Sequence, residues 1–151
     1  MRASRLLASA GGVGFFPWAP GTAGSLVALG AGCAILAFAG HWILLALAIV
    51  ATVGGIAAIR LAEAKDDPGW VVIDEVAGQW LTLAGLLHVT WIGAAVAFAL
   101  FRLLDILKPG PIGWADRIHT PTGIMLDDVI AGVIGGILIR LVLLWHPALF
   151  G

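Results

Sequence analysis

A chain of 151 residues that is 61% hydrophobic and only 11% charged is an integral membrane protein, since soluble domains carry about 25% charged residues. Eight Lys and Arg against nine Asp and Glu give a formal net charge of −1, with no basic run, which argues against nucleic acid as a partner. The single Cys33 leaves no route to an internal disulfide or a cysteine metal cage and reads as packing.

Met1 to Arg5 carries two arginines, and the LLASAGGVGFFPWAPG that follows is too rich in Gly and Pro for a signal-peptide core. It is expected to remain as an interfacial or re-entrant segment at the membrane surface. Thr22, after Pro20 and Gly21, is the expected N-cap of an apolar helix over residues 23–39 that ends at Gly40. Residues 42 to about 62 return as a second helix, with Gly54, Gly55, Ala58 and Ala62 as a small-residue packing face. Asp66-Asp67-Pro68-Gly69 is turn chemistry. A third helix is predicted from 73 to about 87 and a fourth over 91–107, stopped by Pro109 and Pro111. A fifth runs from about 123 to 145, closed by His146-Pro147. With roughly 20 apolar residues per crossing, the fold class is all-α: one domain, a polytopic membrane helical bundle of about five membrane helices.

Helices alternate sides, so an N-terminus inside puts residues 63–72 and 108–122 inside too. Arg2, Arg5, Arg60, Lys65, Arg102, Lys108 and Arg117 then fall on or near the inner side, as the positive-inside rule requires. Arg140 is the exception and is expected to snorkel outward. All nine acidic residues lie on the inner side as well.

The carboxylates within the helical segments form three sets: Asp74 with Glu75, Asp105, and Asp127 with Asp128. An Asp at the centre of a spanning helix costs roughly 2.5–3.5 kcal/mol, less near its ends, so a cluster of them needs compensation. Asp128 shares a helix face with Gly132, and Gly132-x-x-x-Gly136 is a close-packing ridge, so Asp128 should look into the bundle. Glu75 shares a face with Gly78, Gln79 and Thr82, a small and polar stripe. Oxygen ligands without Cys or paired His select hard cations, Mg²⁺ first and Mn²⁺ second. Arg102, Lys108 and Arg117 in the same layer suit phosphate charge, and residues 20–25, with Thr22 and Ser25, suit a phosphate cradle at a helix start.

Plainer readings stand beside these. Arg102 and Asp105 have the spacing of a helix-surface ion pair, and Asp74 with Glu75 that of N-terminal dipole partners. Asp66 and Asp116 suit solvated turns, and residues 20–25 suit a simple loop and cap. The four histidines show no ligand spacing, with only His119 inside the charged loop. The seven tryptophans read as interfacial anchors and packing.

The chain resembles the phosphatidylglycerophosphatase A family of bacterial membrane phosphatases. The matching pieces are PGTAGS at 20–25, DPGWVVIDEVAGQW at 67–80, FRLLDILKPGPI at 101–112, Asp116-Arg117, and GIMLDDVIAG at 123–132. They occur in the family's order and cover most of the chain from Gly14 onward. Thr120-Pro121-Thr122 departs from the glycine-rich stretch usual before the last motif. The resemblance implies Mg²⁺-dependent hydrolysis of phosphatidylglycerophosphate to phosphatidylglycerol at the cytoplasmic face of the inner membrane, in phospholipid biosynthesis. The sequence lacks a Cys-x5-Arg loop, the Asp-x-Asp pair of haloacid-dehalogenase phosphatases and the signature of lipid phosphate phosphatases, which leaves a carboxylate and metal mechanism. The expected metal ligands are Asp74, Glu75, Asp127 and Asp128. Asp105, Asp128 and Lys108 are the expected catalytic groups, with Asp105 a further ligand or the base. Arg102, Lys108, Arg117, Thr22 and Ser25 are expected to hold the phosphate. Direct attack by water and a covalent aspartyl-phosphate both remain open. A small cation or proton translocator is the competing class, since interior carboxylates also mark ion pathways.

Overall fold

The computed structural model describes residues 2–150, among which there are seven α-helices and no strand. In chain order they are α1 (Ala3–Ala8), α2 (Pro20–Ala39), α3 (His41–Leu61), α4 (Ile73–Leu83), α5 (Trp91–Leu107), α6 (Pro111–Asp116) and α7 (Pro121–Trp145), with a single 3₁₀ turn at Val13–Phe15. All five predicted helices are present. Three of them, α2, α3 and α7, are long and apolar enough to cross a membrane by length and composition.

Helix α4 ends at Leu83, short of the predicted 87, and its 11 residues span only about 16 Å at 1.5 Å per residue, roughly half a hydrocarbon core. Two contacts stop it. A Cβ on Gly85 would stand 2.5 Å from the Gly136 carbonyl oxygen, so the chain passes close against α7 there. Arg140 donates from Nη2 to the Ala84 carbonyl at 3.3 Å, which gives α4 a C-terminal hydrogen-bond partner and keeps Arg140 from snorkelling away.

Helices α4 and α7 run parallel along a glycine seam. Gly78 meets the Asp128 carbonyl, Gly132 meets the backbone of Gly78, and Gly136 meets the Leu81 carbonyl, so the contacts advance together along both helices. Thr82 reinforces the seam, donating to Gly78 O at 3.0 Å with Gly132 O at 3.4 Å. The predicted Gly132/Gly136 ridge is thus the central packing surface. Helix α2 lies alongside in the same sense: Gly24 seats on Val72, Gly32 on Leu83, and Trp80 donates its indole N–H to Ala28 O at 2.9 Å.

The parallel set fixes where the chemistry falls. The N-termini of α2, α4 and α7 meet at one end of the bundle, and the antiparallel α5 brings its C-terminus there. The opposite half has an apolar core of Leu36, Leu44, Leu83, Leu86, Ala97 and Ile139. It is rimmed by Phe38, Trp42, Trp91 and Trp145, which are 71–94% exposed as membrane-interface aromatics are.

The N-terminal segment is fixed rather than loosely adsorbed. Val72 donates its N–H to Ala8 O at 3.0 Å, joining the segment to the residue just ahead of α4. Gly14 packs so tightly on the Trp70 carbonyl that a Cβ there has no room. The Arg5 guanidinium lies 4.9 Å from the Trp70 ring centroid and 5.6 Å from that of Phe15.

Candidate active site

Three carboxylates from two helices converge where α4 and α7 begin. Oxygens of Asp74, Glu75 and Asp128 lie within 4.8 Å of one another, with Asp74 and Asp128 only 5% and 3% exposed. Asp74 Oδ1 accepts the Glu75 N–H at 3.1 Å, while Glu75 Oε2 is buried without a partner. Among the described residues no cation lies within ion-pair distance of any of the three. Glu75 also presses on Gly21 of α2 where a Cβ would stand, and Arg102 Nη1 lies 3.7 Å from the same point.

A second set of carboxylates is neutralised. Lys108, in a left-handed conformation at the end of α5 (φ 45°), places Nζ 2.5 Å from Asp127 Oδ2, 3.0 Å from Asp116 Oδ1 and 3.7 Å from Asp105 Oδ1. Partial burial alone would lower the Lys108 pKa, but the hydrogen bond and charge of Asp127, with Asp116 and Asp105 behind, raise it overall. Lys108 is therefore a fixed positive charge.

Arg102 forms the third part. It ion-pairs with Asp105 and reaches α2, with Nη1 3.3 Å from Ser25 Oγ and Nη2 3.5 Å from Thr22 Oγ1. Ser25 in turn donates to Gly21 O at 2.9 Å. Thr22 is not the N-cap expected of it. Pro20 already occupies the first turn, where a missing N–H costs nothing, so Thr22 lies inside the helix and its hydroxyl is free to accept from Arg102. Asp105 links the second and third sets, since one carboxyl oxygen pairs with Arg102 and the other faces Lys108.

Of the residues singled out from sequence, the structure thus gathers Asp74, Glu75 and Asp128 in one group, with Asp105, Arg102, Thr22 and Ser25 beside it. Asp127 faces the Lys108 side instead. Arg117 is exposed and makes no ion pair among the described residues. Three further residues emerge. Asp116, read above as turn-forming, contacts Lys108 directly. Asp67 lines a small pocket with Asp116, His119 and Asp127. Although it keeps an exposed edge, partial enclosure and then the Asp127 charge raise its pKa. Gln79 is fully buried, and neither its Nε2 nor its Oε1 has a partner. Each lies in a motif quoted above, but nothing in the sequence ranked them as site residues.

The family model for phosphatidylglycerophosphatase A matches residues 6–143. The chain belongs to the phosphatidylglycerophosphatase A family. It is 41% identical over 142 residues to phosphatidylglycerophosphatase A of Escherichia coli, covering 85% of this chain and 77% of that protein. It is 35% identical over 144 residues to the Haemophilus influenzae protein of the same name, covering 93% and 88%. A Bacteroides thetaiotaomicron protein named as a candidate phosphatidylinositol-3-phosphatase is 39% identical over 142 residues, covering 89% of each chain. No solved structure matches the chain. Like the family, the chain is a phosphatase.

Proposed function

We propose that this phosphatase is Mg²⁺-dependent and hydrolyses phosphatidylglycerophosphate to phosphatidylglycerol and phosphate at the cytoplasmic face of the bacterial inner membrane, in phospholipid biosynthesis. The observation that carries this reading is the division of the carboxylates. Lys108 and Arg102 hold Asp127, Asp116 and Asp105, whereas Asp74, Glu75 and Asp128 converge with no cation within ion-pair distance among the described residues.

That convergence fits a hard divalent ion. The donors are all oxygens, two of the three groups are almost fully buried, and one Glu75 oxygen has no other partner. Asp74, Glu75 and Asp128 would hold it. When bound, Mg²⁺ supplies charge neutralisation for phosphate oxygens and lowers the pKa of a coordinated water.

The chain's own residues do the rest. Arg102, with Thr22 and Ser25 at the start of α2, binds oxygens of the terminal phosphate. Asp105 accepts a proton at Oδ1, the oxygen not held by Arg102, as water adds to phosphorus and the bond to the glycerol oxygen breaks, and the departing oxygen takes up a proton from solvent to give the alcohol. Lys108, with its raised pKa, acts as a fixed charge rather than a proton donor and stabilises the departing oxygen electrostatically. Trapping a phosphorylated carboxylate on the enzyme would replace direct water attack with a covalent route. The cytoplasmic orientation is supported by Arg2, Arg5, Arg60 and Lys65 lying at the same end of the bundle as the carboxylates. An ion pathway would need a relay through the far half, where the core is Leu44, Leu83, Leu86 and Ile139.

The test is phosphate release from phosphatidylglycerophosphate by purified protein with Mg²⁺ or EDTA, beside folded Asp128→Asn. Metal-dependent release that Asp128→Asn abolishes is the expected result. No release from well-folded wild type in Mg²⁺ would overturn the substrate assignment.

A further inference from the structure

A second concave site lies away from the carboxylates. It is a groove of about 690 Å³ between the N-terminal segment and the start of α2, within the roughly 300–1,000 Å³ typical of small-molecule sites. One wall is the Phe15-Phe16-Pro17-Trp18 run, the other the flank of α2 at Ala23, Leu26 and Val27. The lining is apolar except for Thr22.

Two features make this a built site rather than a crease. The aromatic wall is held in place, since Gly14 packs on the Trp70 carbonyl and Ala8 O accepts from Val72, the residue before α4. The corner between the walls is set by Ala19, whose left-handed φ of 49° turns the chain sharply into Pro20. Thr22 then belongs to both regions: it lines the groove, and its Oγ1 faces Arg102, the cation beside Asp105. Thr22 therefore joins the groove to Arg102, and beyond it the groove opens along Leu26 and Val27, both 51% exposed on the outer face of α2.

We infer that this groove seats an acyl chain of the phospholipid substrate, so that the lipid enters from the bilayer between the Phe15–Trp18 wall and α2 and is guided past Thr22 to Arg102. This rests on the lipid phosphatase reading above and adds where the lipid body lies. An acyl chain leaving the bilayer for this groove exchanges one apolar environment for another, so the groove contributes little affinity. Its contribution is orientation: it fixes the depth and direction of the headgroup relative to the carboxylates.

The first experiment reads binding without turnover. Phosphatidylglycerophosphate carrying a mid-chain diazirine is photo-crosslinked to the protein in lipid nanodiscs, and the labelled peptides are mapped by mass spectrometry. Label concentrated in residues 12–27, and lost from that segment in Val27→Trp, is the expected result. Label spread evenly over the outer faces of α2 and α3, or unchanged by Val27→Trp, overturns the inference.

The second experiment compares dioleoyl with dihexanoyl phosphatidylglycerophosphate. Val27→Trp, which fills the groove, should lower kcat/KM for the long-chain lipid about tenfold while leaving the short-chain lipid within about twofold. An equal fall for both lipids, or a fall for neither, overturns it. Ala23→Trp provides a second filling of the same groove should Val27→Trp fail to fold. If wild type releases phosphate from neither lipid, the substrate assignment fails, and the crosslinking map alone decides whether the groove holds an acyl chain.

Discussion

The backbone of α4 at Gly78 lies so close to α7 that a Cβ at position 78 would stand 2.6 Å from the carbonyl oxygen of Asp128. The residue that anchors the carboxylate cluster and the residue that lets α4 approach it are therefore in direct contact. Gly78→Ala would have to push against a backbone oxygen and the Phe101 ring, neither of which yields easily. Overpacking of this kind costs about 1–3 kcal/mol. It would also separate Asp74 and Glu75 from Asp128, so activity should fall further than stability. Gly54, which meets nothing within 4 Å, is the control: Gly54→Ala should be neutral or stabilising by up to about 1 kcal/mol. Thermal unfolding and phosphate release on both variants check this, and equal behaviour of the two would sink it.

The uncompensated cluster predicts how metal and stability are linked. If Asp74, Glu75 and Asp128 hold Mg²⁺, a ligand that binds only the folded protein adds about 2.7 kcal/mol at a hundredfold excess over its dissociation constant. Mg²⁺ should therefore raise the Tm of wild type and not that of Asp128→Asn. In EDTA the order should reverse, because Asp128→Asn removes one of three crowded buried carboxylates. A wild-type Tm indifferent to Mg²⁺ would argue against the site.

Lys108 predicts the opposite response. Removing it leaves Asp127, 7% exposed in its side chain, without its partner at 2.5 Å. Breaking a buried pair costs roughly 3–5 kcal/mol, and the 28% exposure of the Lys108 side chain places Lys108→Met at the lower end of that range. Because its folded pKa is raised, its contribution is complete below the unfolded value near 10.4 and is lost only as pH rises through the still higher folded one. The stability difference between wild type and Lys108→Met should thus show no Lys108 titration between pH 6 and 9. A step there, in denaturant unfolding followed against pH, would contradict the assigned charge.

What the sequence made legible follows from what periodicity can see. The Gly132/Gly136 ridge pointed Asp128 inward, and the structure finds it there, 3% exposed. Asp127 and Asp128 read as one pair, yet neighbours on a helix point about 100° apart, and here they face different partners. Asp128 joins Glu75, while Asp127 joins Lys108, and only the tertiary approach of α5 separates them. Helix α4 ends earlier than its apolar pattern predicts for a similar reason. Ala84-Gly85-Leu86-Leu87 is apolar enough to continue a helix, and the close pass of Gly85 against Gly136 cannot be read from one strand of sequence. The proposed Gly54 and Gly55 face split likewise: Gly55 packs on Met125 and Ile73, and Gly54 faces open space.

Arg102 and Arg117, grouped by sequence as phosphate ligands, should separate in function. Arg102 touches Asp105, Ser25 and Thr22, whereas Arg117 is exposed at the end of α6. Losing a preorganised donor to a developing charge costs about 10²–10³ in rate, so Arg102→Gln should lower kcat on that scale. Arg117→Gln should stay within about threefold of wild type. Comparable losses in the two variants would place Arg117 at the phosphate during turnover.

Gln79 is the sharpest case of a residue that local packing does not explain. It is fully buried, one helical turn beyond Glu75, with neither polar atom satisfied. A buried amide without partners costs about 1–3 kcal/mol, so Gln79→Leu, of similar size, should stabilise the fold. A purely structural glutamine would leave turnover unchanged in that variant. If Gln79 instead positions Glu75 and what Glu75 binds, Gln79→Leu should raise the Tm, lower kcat and weaken the Mg²⁺-dependent rise in Tm. Gln79→Glu would bury a fourth carboxylate beside the cluster and should destabilise the metal-free protein more than the Mg²⁺-loaded one. Unfolding curves with and without Mg²⁺, paired with phosphate release, distinguish these outcomes, and a Gln79→Leu protein that is both less stable and fully active would refute the positioning role.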